Sequence, residues 1–318
     1  MEHKYNIKQP KYDYKIIDFM QWNFIAFIIS GILILTSFGI IFTKGFNLGL
    51  DFTGGTVIEM SFKKEPDLNV IRSVLEKYCY INPIIQHLGN NHDIIIRMPP
   101  IKNLSNRVIE ILRQVMYGDI SIKRLEIIGP SIGTYMIQTS EMAILIALIC
   151  ILLYLGLRFE LRLALGAVIS LIHDIIITLG ILSLIHFEIN LTIIASLMSV
   201  ISYSLNDSIV ISDRIRENCQ NICYSTTYNI INISLTQTLH RTIITSAITL
   251  SAVLILYIFG GIMLQGFALT MFIGVFIGTI SSIYIASSLA LKLGMKREHM
   301  YLPYVDKEGA DNSSMYLL

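Results

Sequence analysis

The sequence predicts a membrane α-helical protein whose six spans carry one α+β, ferredoxin-like domain between the first and the second. Three observations lead there. Hydrophobic residues make up 53% of the chain against 15% charged, with a mean hydropathy of +0.63, whereas a soluble domain carries about 25% charged residues. Six stretches stay apolar for roughly the 20 residues that a helix needs to cross the hydrocarbon. The one long polar interval alternates strand and helix periodicities.

The six stretches are residues 24–42, 136–157, 163–185, 189–211, 242–259 and 267–291. The first is too long, and lies too far from a basic start, for a cleaved signal peptide. Outside residues 44–131, lysine and arginine fall in four places: the N-terminal tail, the turn with Arg158 and Arg162, the stretch from Arg214 to Arg241, and the tail from Lys292. With six spans those places share one side, which the positive-inside rule makes cytoplasmic. The chain then divides into a cytoplasmic tail (1–23), a first span (24–42), an exported domain (43–135), five further spans (136–291) with a cytoplasmic loop at 212–241, and a second cytoplasmic tail (292–318). Cys79 is alone in the exported segment and cannot close a disulfide there, while Cys219 and Cys223 lie where thiols stay reduced. The net charge of +1 gives no reason to expect a nucleic-acid partner.

The exported domain opens with "GLDFTGGT" at residues 49–56. Glycine-rich loops can cradle phosphates, but no Gly-Lys-Ser/Thr follows and the next residues alternate as a strand does. A tight turn feeding a strand is the simpler reading, with Gly54 and Gly55 in backbone conformations other residues avoid. Residues 57–62 form that strand. Asp67 caps a helix whose Leu68, Ile71, Leu75 and Tyr78 share a face. Residues 84–88 and 93–98 are strands around a "GNNH" turn, 105–117 is a second amphipathic helix and 121–128 a last strand. The order β-α-β-β-α-β is the ferredoxin-like split arrangement.

Ionisable residues inside spans are costly and mark functional sites. His173 and Asp174 sit near the middle of the third span, where Gly166, Ser170, Asp174 and Thr178 recur every fourth residue. Asn206 and Asp207 lie toward the cytoplasmic end of the fourth span, and Arg241 opens the fifth at similar depth. Asp174 and Asp207 are candidate functional carboxylates, with a permanently paired structural carboxylate as the alternative, and His173 is either a helix-bridging hydrogen bond or a proton carrier. For Arg241 the alternative is snorkelling to the interface. Gly274, Gly278 and Ser282, continued by Ala286 and Ala290, make a small-residue seam for packing another helix. No enzyme reading holds: HExxH and GxSxG are absent, and the His-Asp pair has no companion cluster for a metal. Neither a cofactor nor a metal is expected.

Taken together, "GLDFTGGTVIE", the "HD" of the third span, "SYSLNDSIVISDRIREN" and "TLHRTIITS" resemble the SecD/SecF family of bacterial protein-export membrane proteins, in its smaller, enterobacterial form. The resemblance runs over nearly the whole chain. It implies half of a resistance-nodulation-division (RND) type transporter with a periplasmic domain, held in the bacterial inner membrane with both termini cytoplasmic. It implies work with a SecD partner at the SecYEG channel, with YajC and YidC as further partners, moving a translocating preprotein at the expense of the proton gradient. By similarity, Asp207 and Arg241 fall on proton-coupling positions, joined by His173 and Asp174. Gly49, Asp51, Gly54 and Gly55 fall on the motif that couples domain to membrane. The small-residue seam is expected to serve the pairing with SecD. One departure stands out: residues 219–230, "CQNICYSTTYNI", lack the basic residues, Gly and Pro that family members usually carry there. The alternative function is half of a proton-driven RND exporter of small molecules or lipids.

Overall fold

The computed structural model describes residues 16–63, 65–79, 83–88, 90–98, 104–115, 120–222 and 225–295. Helix α1 (Asn23–Lys44) is apolar almost all round, and what it buries is its small polar residues, Ser30 and Ser37. A Cβ at Gly180 would meet Ser37 Cβ at 2.4 Å, so the bare glycine lets α1 lie against a later helix.

After α1 come a two-residue strand, β1 (Asn47–Leu48), and a single helical turn, α2 (Leu50–Thr53). The sheet domain follows: β2 (Gly55–Phe62), α3 (Leu68–Cys79), β3 (Ile84–Leu88), β4 (Asn90–Met98), α4 (Leu104–Val115) and β5 (Ile120–Ile128). The strand order β3-β4-β2-β5, antiparallel throughout, is the split arrangement expected. Ile58, Met60, Phe62, Ile94 and Ile96 of the sheet and Ile71, Leu75, Val108 and Leu112 of the helices share one core. Strand β4 starts at Asn90, so the expected turn at 89–92 narrows, and the expected end of α4 lies outside the described residues.

The chain returns to spanning helices at α5 (Pro130–Arg158), with Pro130 at a first-turn position that needs no N–H. Then come α6 (Leu161–Leu184), a second short strand β6 (Glu188–Ile189), α7 (Leu191–Asn221) and α8 (Thr227–Phe259). The last span is α9 (Gly261–Ser281), a π-helical turn (Ser282–Ala286) and α10 (Ser287–Lys292). Among the described residues, six helices are thus long and apolar enough to span a membrane. The most apolar windows of α6 and of the last span are 67% and 56% buried, against 6% for α5, so α6, α7 and the last span form the centre and α1, α5 and α8 the periphery.

The stretch 212–241, expected as a loop, is helical over 212–221 and 227–241, so α7 and α8 run on together past the apolar zone. Their polar side chains satisfy each other there. Asn218 Nδ2 donates to Ser234 Oγ and to Gln237 Oε1, each at 2.8 Å. Hydropathy reads such residues as loop because it scores polarity and not pairing. Thr226 caps α8 by accepting from Asn229 N–H.

Candidate functional site

The every-fourth-residue stripe of α6 faces the centre of the bundle. Gly166 abuts the last span, where a Cβ would meet Ala286 O at 2.6 Å. Ser170 Oγ bonds Ser281 Oγ at 3.1 Å, and Thr178 Oγ1 donates to its own helix at Asp174 O. Asp174, 1% exposed, is the focus. Its Oδ2 accepts from Ser204 Oγ of α7 at 2.8 Å, and its Oδ1 lies 3.0 Å from His173 Nδ1. Three helices meet at this carboxylate, because a Cβ on Gly278 of α9 would stand 3.4 Å from Asp174 Oδ2 and 3.1 Å from Ser204 Cβ.

Asp207 lies three residues beyond Ser204 on the same helix, so both share a face. It is also buried, yet its Oδ2 has no hydrogen-bond partner, and neither has Ser208 Oγ. Arg241 is exposed on α8 and forms no ion pair with Asp207. The structure therefore joins His173 to Asp174, leaves Asp207 unbonded, and holds Arg241 at a remove. His173 Nε2 is likewise buried without a partner. No group of three metal-binding side chains occurs among the described residues.

The small-residue seam has a different neighbour from the one expected. Gly274 packs on Val200, where a Cβ would fall 2.4 Å from Cγ2, and Gly278 packs on Ser204 and Asp174. Ser282 and Ala290 are fully buried. The seam is thus filled by α6 and α7 of this chain. A step-of-four pattern reports close packing but not whose helix supplies it.

The glycine motif forms a second constellation. Gly54, with φ of +73°, ends the single turn α2, and Gly55 faces Met98 O, where a Cβ would stand at 2.6 Å. The turn lies against the start of α5, since a Cβ on Gly133 would meet Phe52 O at 2.2 Å. On its other side, β1 pairs in parallel with β6, and Gly49 N–H donates to Ile189 O at 2.7 Å. Asp51 Oδ2 then accepts from Leu191 N–H at 2.9 Å, while Asn190 takes the N–H of Ile193. Two donors in the first turn of α7 thus meet side-chain acceptors, one from the motif and one local, and Ile193 N–H also reaches Asn190 O. Arg97 of β4 forms an ion pair with Glu188 of β6.

Sequence reasoning missed Ser204, Glu188 and Arg97. Ser204 had a signal, because it lies one turn before Asp207 in a span where polar residues need partners. Arg97 and Glu188 had none, because a charge on a strand and another in a turn both read as solvated.

Comparisons with known proteins follow the same lines. A family model described as "Protein export membrane protein SecD/SecF, C-terminal" matches residues 107–296, and one described as the "SecD/SecF GG Motif" matches residues 39–66. The chain is 54% identical over 321 residues to protein translocase subunit SecF of Escherichia coli O157:H7, covering 99% of each. It is 44% identical to the subunit of that name from Vibrio alginolyticus, over 95% of this chain and 97% of the relative. Among solved structures it resembles SecDF, a translocon-associated membrane protein from Thermus thermophilus, with a TM-score of 0.77 and 33% identity. That likeness covers 88% of this chain and 39% of SecDF, so the chain spans about two fifths of the solved protein's length.

Proposed function

Because the chain belongs to the SecD/SecF family of protein export membrane proteins, we propose that it drives late steps of protein translocation across the bacterial inner membrane with a SecD-type partner, using the proton-motive force. The observation that carries the reading is Asp207, a buried carboxylate in a spanning helix with an oxygen that no donor serves. Such a group is costly as an ion unless a cation or a proton meets it. Motion of Arg241 toward or away from Asp207 would exchange one for the other, so proton uptake and release would track a conformational change. Asp174, held by Ser204 and His173, would keep the three central helices in register around that site.

The motif Gly49, Asp51, Gly54 and Gly55 would carry the change to the sheet domain, placed in the periplasm with both chain termini cytoplasmic. The second half of the transporter would come from SecD, since this chain supplies six candidate spans and matches only part of SecDF. SecYEG, YajC and YidC would complete the setting, with a preprotein as cargo. The role is transport, with no catalytic residue and no cofactor. The test uses vesicles containing SecYEG, SecD and this chain. Completion of export should accelerate when a proton gradient is imposed, and that acceleration should vanish when this chain is left out. Equal rates with and without the gradient would overturn the reading.

A further inference from the structure

We propose that Arg97 and Glu188 are positioning residues: their ion pair is the joint through which the sheet domain moves α7, and with it Asp207. The inference rests on the proton-coupled reading above and names where force passes.

The geometry is a short series of stiff links. Arg97 lies on β4, directly opposite Val57 of β2, so it is fixed to the centre of the sheet. Its Nη1 meets Glu188 Oε2 on β6. Glu188 is three residues before Leu191, where α7 begins, and α7 is unbroken from there to Asp207. A rise of about 1.5 Å per residue places the carboxylate roughly 24 Å down that helix. A displacement of Glu188 along α7 therefore shifts Asp207 against α8 and Arg241.

The glycine motif makes the joint possible. A Cβ on Gly49 would stand 3.0 Å from Glu188 Oε1, so the bare glycine leaves the carboxylate room to turn toward Arg97. Gly49 N–H holds Ile189 O and Asp51 Oδ2 holds Leu191 N–H after Glu188, and Asn47 Nδ2 holds His186 O before it. These bonds fix the chain around Glu188, while its side chain meets the sheet through the ion pair with Arg97.

That pair suits a joint that must hold and let go. The two side chains are 18% and 29% exposed, shielded enough for their attraction to count and wet enough for either charge to stand alone. Other charges on the sheet are engaged within it: Lys123 with Asp93, and Arg124 with Glu59 and Glu126.

The test compares Arg97→Gln, Glu188→Gln, the double variant and the charge swap Arg97→Glu with Glu188→Arg, each as full chain with SecD in SecYEG vesicles. Insertion is checked by protease protection. Each single variant should slow gradient-driven export roughly tenfold, and the double should be no worse than either, as for residues acting through one contact. The swap should recover most of the rate. Hydrogen exchange at the start of α7 should respond to an imposed gradient in wild type and not in Arg97→Gln. If a single variant fails to insert, Arg97→Lys, which keeps the charge, carries the same comparison. Additive losses, no recovery in the swap, or a gradient response that survives in Arg97→Gln would each overturn the joint. An absence of gradient-driven export in wild type would instead defeat the functional reading beneath it.

Discussion

Ser204 Oγ donates to Asp174 Oδ2 at 2.8 Å, and this bond ties α6 to α7 one turn from Asp207. Two buried carboxylates thus lie in one layer of the bundle with opposite standing. Asp174 has a hydroxyl on one oxygen and an imidazole on the other, whereas Asp207 Oδ2 has nothing.

Gly278 guards that arrangement. Gly278→Leu would force a branched side chain into a gap where a lone Cβ already approaches Ser204 within 3.1 Å. Overpacking of this kind costs about 1–3 kcal/mol. The variant should lower the melting temperature and export while leaving SecD bound, since the seam faces this chain's own helices. Loss of SecD on co-purification, with unchanged melting, would show that the seam serves assembly after all.

At the glycine turn the obstacle is backbone. A Cβ on Gly55 would press on Met98 O at 2.6 Å, next to Arg97, so Gly55→Val must shift β2 from β4 or the turn from the sheet. Insertion should be normal and export slow. Normal export with normal insertion would reduce the motif to a simple turn.

Asp51 acts on α7 directly. Losing a cap costs about 1 kcal/mol. Asp51→Ala should therefore speed hydrogen exchange in the first turn of α7, most of all at Leu191, whose N–H would lose its acceptor. Asp51→Asn keeps an acceptor oxygen and should restore most of the protection. Equal exchange at Leu191 in wild type and Asp51→Ala would mean that the cap contributes nothing.

These predictions separate what was legible in the sequence from what was not. Periodicity revealed the spans and the split sheet because burial demands it: Ile58, Met60 and Phe62 alternate since one side of β2 meets α3 and α4. Asp174 and Asp207 were legible because lipid makes any carboxylate conspicuous. Which of them is bonded was not, since Ser204, though marked as a polar residue needing a partner, could have served either carboxylate. Nor was the contact between the sheet and the segment before α7, in which Arg97 meets a residue 91 positions later. The helical course of 212–221 and 227–241 was hidden for a related reason, because Asn218 and Ser234 look solvated until each is seen to satisfy the other.

The sheet domain carries a pH dependence of its own. A hydrogen bond from Lys123, which reaches across β2 at 2.7 Å, holds the Asp93 carboxyl below the ordinary carboxylate range, and Ser61 adds to this. A depressed folded-state pKa contributes stability that is present above the unfolded value, near 3.8, and is lost as pH falls through the folded value. Hydrogen exchange in β5 should therefore quicken as the medium is acidified below that range, and Asp93→Asn should flatten the response. An unchanged acid response in Asp93→Asn would place the titrating group elsewhere.

The decisive comparison is between Asp207→Asn and Asp174→Asn. Asparagine keeps the shape and removes titration, so Asp207→Asn should insert, bind SecD and lose the part of export that depends on the gradient. One charge crossing 100 mV is worth about 2.3 kcal/mol, enough to shift a two-state equilibrium roughly 50-fold, and that is the drive the variant would forfeit. Asp174→Asn puts an amide beside His173 and Ser204, where at most one of the two present bonds keeps its polarity. It should melt earlier yet still respond to the gradient. The reverse outcome, with Asp207→Asn exporting at the wild-type rate under a gradient and Asp174→Asn indifferent to it, would move the proton site to Asp174. His173 Nε2, buried and unbonded, would then be the next group on the path.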